Sequence, residues 1–126
     1  MKETIEFHPI GVVTEVSGPP PGEGFFRDRR FRVRIYPEYL DGLSGLEAGR
    51  RIQIIFYFHL SEGYELITYA RGLQKTTGVF NCRSPYRPNG IGVTEVTIVS
   101  MEEDGFTADG GDLFQGTPVL DLKPCK

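Results

Sequence analysis

The chain of 126 residues predicts a mainly β fold. Six or seven short antiparallel strands would form a single small β-barrel or sandwich, with one short helix. Sixteen glycines and nine prolines punctuate the chain at close intervals, which favours turns over long elements. Between these breaks, apolar side chains recur at every second position, the period of a strand. The clearest alternation is Phe31 to Tyr36, and the clearest strand is Arg51 to Leu60.

Taken in order, the first strand is predicted over Ile5 to Val16, where apolar and β-branched residues recur and Pro9 sits near the start. Ser17 to Gly24 (SGPPPGEG) is a surface loop, stiff in the middle and flexible at its ends. Phe25 and Phe26 follow, in a basic strip with Arg27, Arg29, Arg30 and Arg32. The strip reads either as a solvated edge strand with inward aromatics or as a ligand contact. In Phe31 to Tyr36, Phe31, Val33 and Ile35 share one face, and Arg32 and Arg34 the other. Pro37 with Glu38 behind it opens a helix. Tyr39, Leu40, Leu43 and Leu46 keep helical spacing, while Gly42 and Gly45 limit it to one or two turns.

Arg51 to Leu60 is apolar on both faces and reads as a central strand. Ser61 to Gly63 turns the chain, Tyr64 to Ala70 reads as the antiparallel return, and Arg71 to Thr77 as a polar connection. Ile91 to Met101, Phe106 to Ala108 and Thr117 to Leu122 are further strands, separated by turns at Glu102 to Gly105 and Asp109 to Asp112.

The length is that of one domain, residues 1–126, with room for a sizeable core. Net charge is −3, so no global basic field attracts nucleic acid. An RNA partner would need basic residues gathered on one face. The two cysteines, Cys82 and Cys125, make no disulfide framework, and two histidines with no C-x-x-C exclude a structural zinc site. No run reaches the ~18 apolar residues of a membrane-spanning helix. The N-terminus has no signal-peptide pattern, so a cytoplasmic location is expected. Glycine-rich dinucleotide, P-loop and nucleophile-elbow motifs are missing.

The segment richest in chemistry is Gly78 to Gly92, GVFNCRSPYRPNGIG. Its prolines and glycines rule out a helix through the segment, and the prolines hold Ser84 and Arg87 extended. Arg83 and Arg87 carry the planar fork suited to carboxylate or phosphate, and Asn89-Gly90 is a turn pair. The loop reads as a grip for an anion or nucleotide, against the plainer reading of a rigid hairpin with solvated arginines. In Gly111 to Pro124, Gly116-Thr117-Pro118 is a tight turn able to present backbone groups to a ligand. Asp121 and Lys123 fall on one side of a strand and read by default as a surface ion pair. His59 reads by default as a satisfied strand histidine. A nucleophilic role for Cys82 is disfavoured by the lack of a neighbouring histidine.

These two segments resemble the TsaA-like (TrmO) family of S-adenosylmethionine-dependent tRNA N6-methyltransferases. The loop Gly78 to Thr94 is similar to the family's GVFATRSPxRPNPIGLS. Asp112 to Cys125 (DLFQGTPVLDLKPC) is similar to its DxxDGTPVLDIKPY. Tyr39 to Glu47, Phe58-His59 and Ile10 to Val13 match further family segments, so the likeness spans nearly the whole chain. The resemblance implies a small antiparallel β-barrel acting as a homodimer, with S-adenosyl-L-methionine bound near the subunit interface. It implies methylation of N6 of threonylcarbamoyl-adenosine beside the tRNA anticodon. By motif position it implies cofactor contacts at His59, Leu60, Arg83, Val93, Gln115, Gly116, Thr117 and Pro118.

The chain departs from the family at three places. No PRQ-like triplet occurs in Ser17 to Gly24, Gln115 stands where the family has aspartate, and Cys125 replaces a tyrosine. For catalysis, Asp121 is the leading candidate for the base that takes the N6 proton, with Tyr86 next. Arg87, with Ser84 and Asn89, is the candidate substrate contact, its guanidinium matched to the threonyl carboxylate. Neither a metal nor a membrane enters this reading. Two competing readings remain: a non-catalytic module of the same fold binding S-adenosylmethionine or a nucleotide, and a methyltransferase acting on a small molecule or another RNA.

Overall fold

The structure is a computed structural model and describes residues 3–18 and 29–126. Strands β1 (Gly11–Ser17), β2 (Arg30–Ile35), β3 (Arg51–Tyr57), β6 (Ile91–Glu102), β7 (Gly105–Asp109) and β8 (Pro118–Pro124) are joined by antiparallel ladders. Their order is β1-β2-β7-β6-β3-β8, and β8 pairs back onto β1 to make a closed barrel. Two short strands, β4 (Ile67–Ala70) and β5 (Lys75–Gly78), form a separate hairpin.

The period-2 pattern places the core. Phe31, Val33 and Ile35 of β2 are buried, as are Ile52, Ile54 and Phe56 of β3, while the alternating Arg30 and Arg34 are exposed. Val13, Val96, Ile98, Phe106, Ala108, Leu113 and Val119 complete the cluster. Register shifts fall between Val13 and Glu15, Ile98 and Ser100, and Ile55 and Phe56. Such bulges raise the local twist and help a sheet curve closed.

The expected short helix is a 3₁₀ helix at Pro37–Leu43, with proline at its start. Leu40, Leu43 and Leu46 pack on the core, while Tyr39 is exposed.

Several boundaries differ from the sequence expectation. β1 starts at Gly11, not Ile5, and Ile5 and Phe7 are exposed. Pro9 lacks a donor and restricts its predecessor, and the β8 ladder begins only at Gly11↔Val119. β3 stops at Tyr57, whose partner Ile91 is the first residue of β6, so Phe58 to Leu60 leave the sheet. Tyr64 to Ala70 does not return along β3, because both edges of β3 are occupied by β6 and β8. Its strand portion pairs instead with Lys75–Gly78, inside the segment read as a polar connection. That strand (KTTG) carries no apolar alternation, and its turn includes Gln74 at φ 53°. Most of the Ser17 to Gly24 loop, with Phe25, Phe26 and Arg27, lies outside the described residues.

Candidate functional site

A cleft of about 580 Å³ opens where β3 ends and β6 begins. Three parts of the chain wall it: Phe56 to Ser61, the loop from Cys82 through the start of β6, and the connection between β7 and β8. The first wall is aromatic. Phe56 and Phe58 meet edge to face, with ring centroids 5.0 Å apart at 71°. This pair requires glycine at position 92, where a Cβ would stand 2.5 Å from the Phe56 ring and 2.8 Å from that of Phe58.

The loop is held by its own polar groups. Arg87 Nη1 donates to the carbonyls of Cys82 at 2.9 Å and Ser84 at 3.1 Å. Tyr86 N–H donates to Ser84 Oγ at 3.2 Å, and Gly90 N–H to the Arg87 carbonyl at 3.2 Å. Phe58 N–H donates to the Gly90 carbonyl at 2.8 Å, tying the loop to the end of β3. Arg83 Nη1 donates to the Val93 carbonyl at 3.1 Å. Both guanidiniums therefore keep Nε and Nη2 without a partner among the described residues.

The third wall is anchored to β1. Gly116 N–H donates to the Val13 carbonyl at 2.7 Å, and Val13 N–H to the Thr117 carbonyl at 3.0 Å. Gly116 has φ +88°, and its missing Cβ would lie 3.6 Å from His59 Nε2. The fold thus brings His59 against the tight turn, although the two lie far apart in the chain. Upstream, Arg29 is buried and clamps the same connection: its carbonyl accepts from Gly110 N–H at 3.0 Å, and its Nη2 donates to the Leu113 carbonyl.

Of the residues singled out from the sequence, His59, Leu60, Arg83, Arg87, Val93 and Thr117 line the cleft, and Gly116 borders it through His59. Gln115, Pro118, Ser84, Tyr86 and Asn89 do not line it. Asp121 stands on the exposed side of β8, with Oδ1 accepting from Leu122 N–H at 2.9 Å and Oδ2 3.3 Å from Lys123 Nζ. Sequence reasoning missed Asp112, Phe114 and the Phe56–Phe58 wall. The signal for the wall was Gly92, a glycine inside a strand pattern, which marks close approach.

Among the described residues of the basic strip, Arg34 alone is exposed and makes no ion pair. Arg29 is buried, Arg30 pairs with Asp109 at 2.7 Å, and Arg32 bridges Glu102 at 2.9 Å and Asp104 at 2.7 Å. Cross-strand register places Asp109 opposite Arg30, while Arg32, opposite Thr107, reaches past β7 to Glu102 at the end of β6 and Asp104 in the turn, pairings the sequence alone does not reveal. The hydroxyl of Thr107, then that of Ser100 and the Arg32 guanidinium, hold the Glu102 carboxyl below its ordinary range against the opposing effect of burial. Among the described residues, no group of three His, Cys, Asp or Glu side chains could hold a metal ion. No helix among them is long and apolar enough to cross a membrane.

A family model described as the tRNA-methyltransferase O N-terminal domain matches residues 12–125. The chain is 36% identical over 123 residues to a protein of Methanothermobacter thermautotrophicus named a probable S-adenosyl-L-methionine-binding protein, covering 95% of this chain and 89% of that one. It is 38% identical over 98 residues to the tRNA (adenine(37)-N6)-methyltransferase of Homo sapiens, covering 75% of this chain and 22% of that protein. The crystal structure of TrmO from Pseudomonas aeruginosa aligns with a TM-score of 0.77 at 29% identity, covering 98% of this chain and 57% of that chain. The chain therefore spans most of the archaeal relative but little more than half of the solved TrmO chain. With the family model matched from the first strand to the last, the chain belongs to the tRNA-methyltransferase O N-terminal domain family.

Proposed function

We propose that the chain binds S-adenosylmethionine in this cleft and, as a homodimer, methylates N6 of threonylcarbamoyl-adenosine beside the tRNA anticodon. The observation that carries the reading is convergence. His59, Leu60, Arg83, Val93 and Thr117 come from three separate parts of the chain and line one cavity of about 580 Å³. That volume lies within the range of small-molecule and cofactor sites.

The chemistry of the walls fits the cofactor. Phe56 and Phe58 offer an apolar aromatic surface to an adenine or thioether-like chain, and Arg83 offers unpaired donors to a carboxylate. Gly116 and Thr117 bring backbone within reach of a ligand beside His59. When bound, the cofactor supplies an electrophilic methyl group. The chain's own task is then alignment of the nucleophile and removal of its proton.

Arg87 braces the loop through Nη1 and keeps Nε and Nη2 for the threonyl carboxylate of the substrate, with Ser84 and Asn89 on the same loop. Asp121 is the proposed base. Its surface pair with Lys123 is weak, so the carboxylate remains open to an RNA base laid over β8. Tyr86, exposed on the loop, is the second candidate. The homodimer reading is supported by the β4–β5 hairpin and its flanks, where Leu66, Ile67, Tyr69 and Phe80 are exposed.

Calorimetric titration with S-adenosylmethionine tests the cofactor reading; micromolar binding is expected, and no binding at millimolar ligand would end it. In a tRNA methylation assay, Asp121→Asn should keep cofactor affinity and lose turnover. Undiminished turnover would remove Asp121 from the mechanism.

A second reading, a non-catalytic module or a methyltransferase of a small molecule, draws support from the pairing of Arg30 and Arg32 with carboxylates. Binding of tRNA that weakens steeply with salt favours the RNA reading, and no measurable tRNA binding favours the other.

A further inference from the structure

The connection between β7 and β8 contains a carboxylate that the reading so far leaves without a task. Asp112 lines the cleft, and its Oδ1 is buried with no hydrogen-bond partner among the described residues. A buried polar oxygen left unpaired costs roughly 1–3 kcal/mol, more when charged. Native structures rarely carry one without a reason. No other carboxylate lines this cleft among the described residues, whose remaining charged lining groups are Arg83 and Arg87.

The backbone on either side of the carboxylate is also held. On one side, Gly110 N–H donates to the Arg29 carbonyl, and Gly111, at φ +76°, packs against β6 so closely that a Cβ would lie 3.2 Å from Thr94 Oγ1. On the other, Leu113 is fully buried and its carbonyl accepts from the Arg29 guanidinium. Asp112 therefore sits between two pinned neighbours. An acceptor fixed in advance loses little freedom when a ligand arrives.

We infer that Asp112 is a ligand-binding carboxylate of the cleft, and that it accepts a hydrogen bond from a donor of the bound cofactor. Two donors of S-adenosylmethionine have the required chemistry: the ribose hydroxyls and the ammonium group. The inference rests on the cofactor reading and adds to it the residue that supplies an anionic acceptor in a chain where position 115 is glutamine.

The test compares wild type with Asp112→Asn, which keeps the shape and removes the charge. Two measurements are made: thermal unfolding without ligand, and calorimetric titration with S-adenosylmethionine and with methylthioadenosine, which keeps the ribose and lacks the amino acid. The variant should melt no lower than wild type, because the oxygen has no partner to lose. It should bind S-adenosylmethionine at least about tenfold more weakly, the loss of one charge-assisted hydrogen bond. A matching loss for methylthioadenosine assigns the ribose hydroxyls, and unchanged methylthioadenosine binding assigns the ammonium; either supports the inference. A variant that binds S-adenosylmethionine as wild type does overturns it while leaving the cofactor reading intact. So does a clearly lowered melting temperature, which would mean that the carboxylate is taken up by the protein's own donors. A wild type that binds no S-adenosylmethionine removes both.

Discussion

At the scale of single residues, the cleft depends on positions where a side chain is missing. Gly92 is the sharpest case, since a Cβ there would stand 2.5 Å from the Phe56 ring. Phe56 is 5% exposed and belongs to the core, so its ring must shift against packed neighbours or into the cleft to admit a Cβ. Gly92→Ala should therefore cost about 1–3 kcal/mol in denaturant unfolding, the usual penalty of overpacking. It should also displace the Phe56–Phe58 pair and weaken cofactor binding. A variant as stable as wild type would show that the aromatic wall yields. By contrast, Arg83 and Arg87 are similar in sequence yet differ in task. Arg83 ties the loop to β6 through the Val93 carbonyl, whereas Arg87 braces the loop against itself.

At the scale of elements, β2, β6 and β7 share an outward polar network. Glu102 accepts from Arg32, Ser100 and Thr107, and Arg32 also reaches Asp104. The Glu102 carboxyl titrates below its ordinary range in the folded chain. Its contribution to stability is therefore present above the unfolded pKa of about 4.3 and is lost as pH falls through the folded value. Glu102→Gln should be less stable than wild type at neutral pH. The difference should shrink as both are acidified below about pH 4. Melting temperatures at a series of pH values check this, and parallel curves for the two proteins would show that Glu102 is not the group responsible.

At the scale of the whole molecule, the β4–β5 hairpin stands apart from the barrel and exposes apolar side chains that the core does not use. Ile67 and Tyr69 share one face of β4 and are 65% and 60% exposed, and Phe80, just after β5, is 78% exposed. A surface of this kind marks an interface. If it joins two copies, Ile67→Glu should shift the particle from dimer to monomer in light scattering, with the far-ultraviolet spectrum unchanged. An unaltered mass would place the dimer contact elsewhere. The acidic overall balance bears on the same scale. With Arg30 and Arg32 paired to carboxylates, Arg34 is the one β2 arginine left exposed and unpaired among the described residues, so RNA would meet it and the cleft arginines.

The alternation in Phe31 to Ile35 determined by itself that this stretch is a strand with that face inward, because period 2 permits one buried face, whereas Arg51 to Leu60, apolar on both faces, marked a strand and left to the tertiary structure the burial of Ile52, Ile54 and Phe56. Pro37 likewise placed the start of the 3₁₀ helix, and the prolines and arginines of Cys82 to Asn89 marked a stiff loop with polar grip. Local chemistry is sufficient for such features. Closure of the ring, the choice of β6 and β8 as neighbours of β3, and the hairpin of the polar KTTG strand were decided only by tertiary structure, since pairing depends on which edges remain free. The same holds for the cleft. Asp112 looked like a turn residue, and Arg29 like one of a basic strip, until folding set one in the cleft and buried the other as its clamp. Their roles come from neighbours that lie far away along the chain.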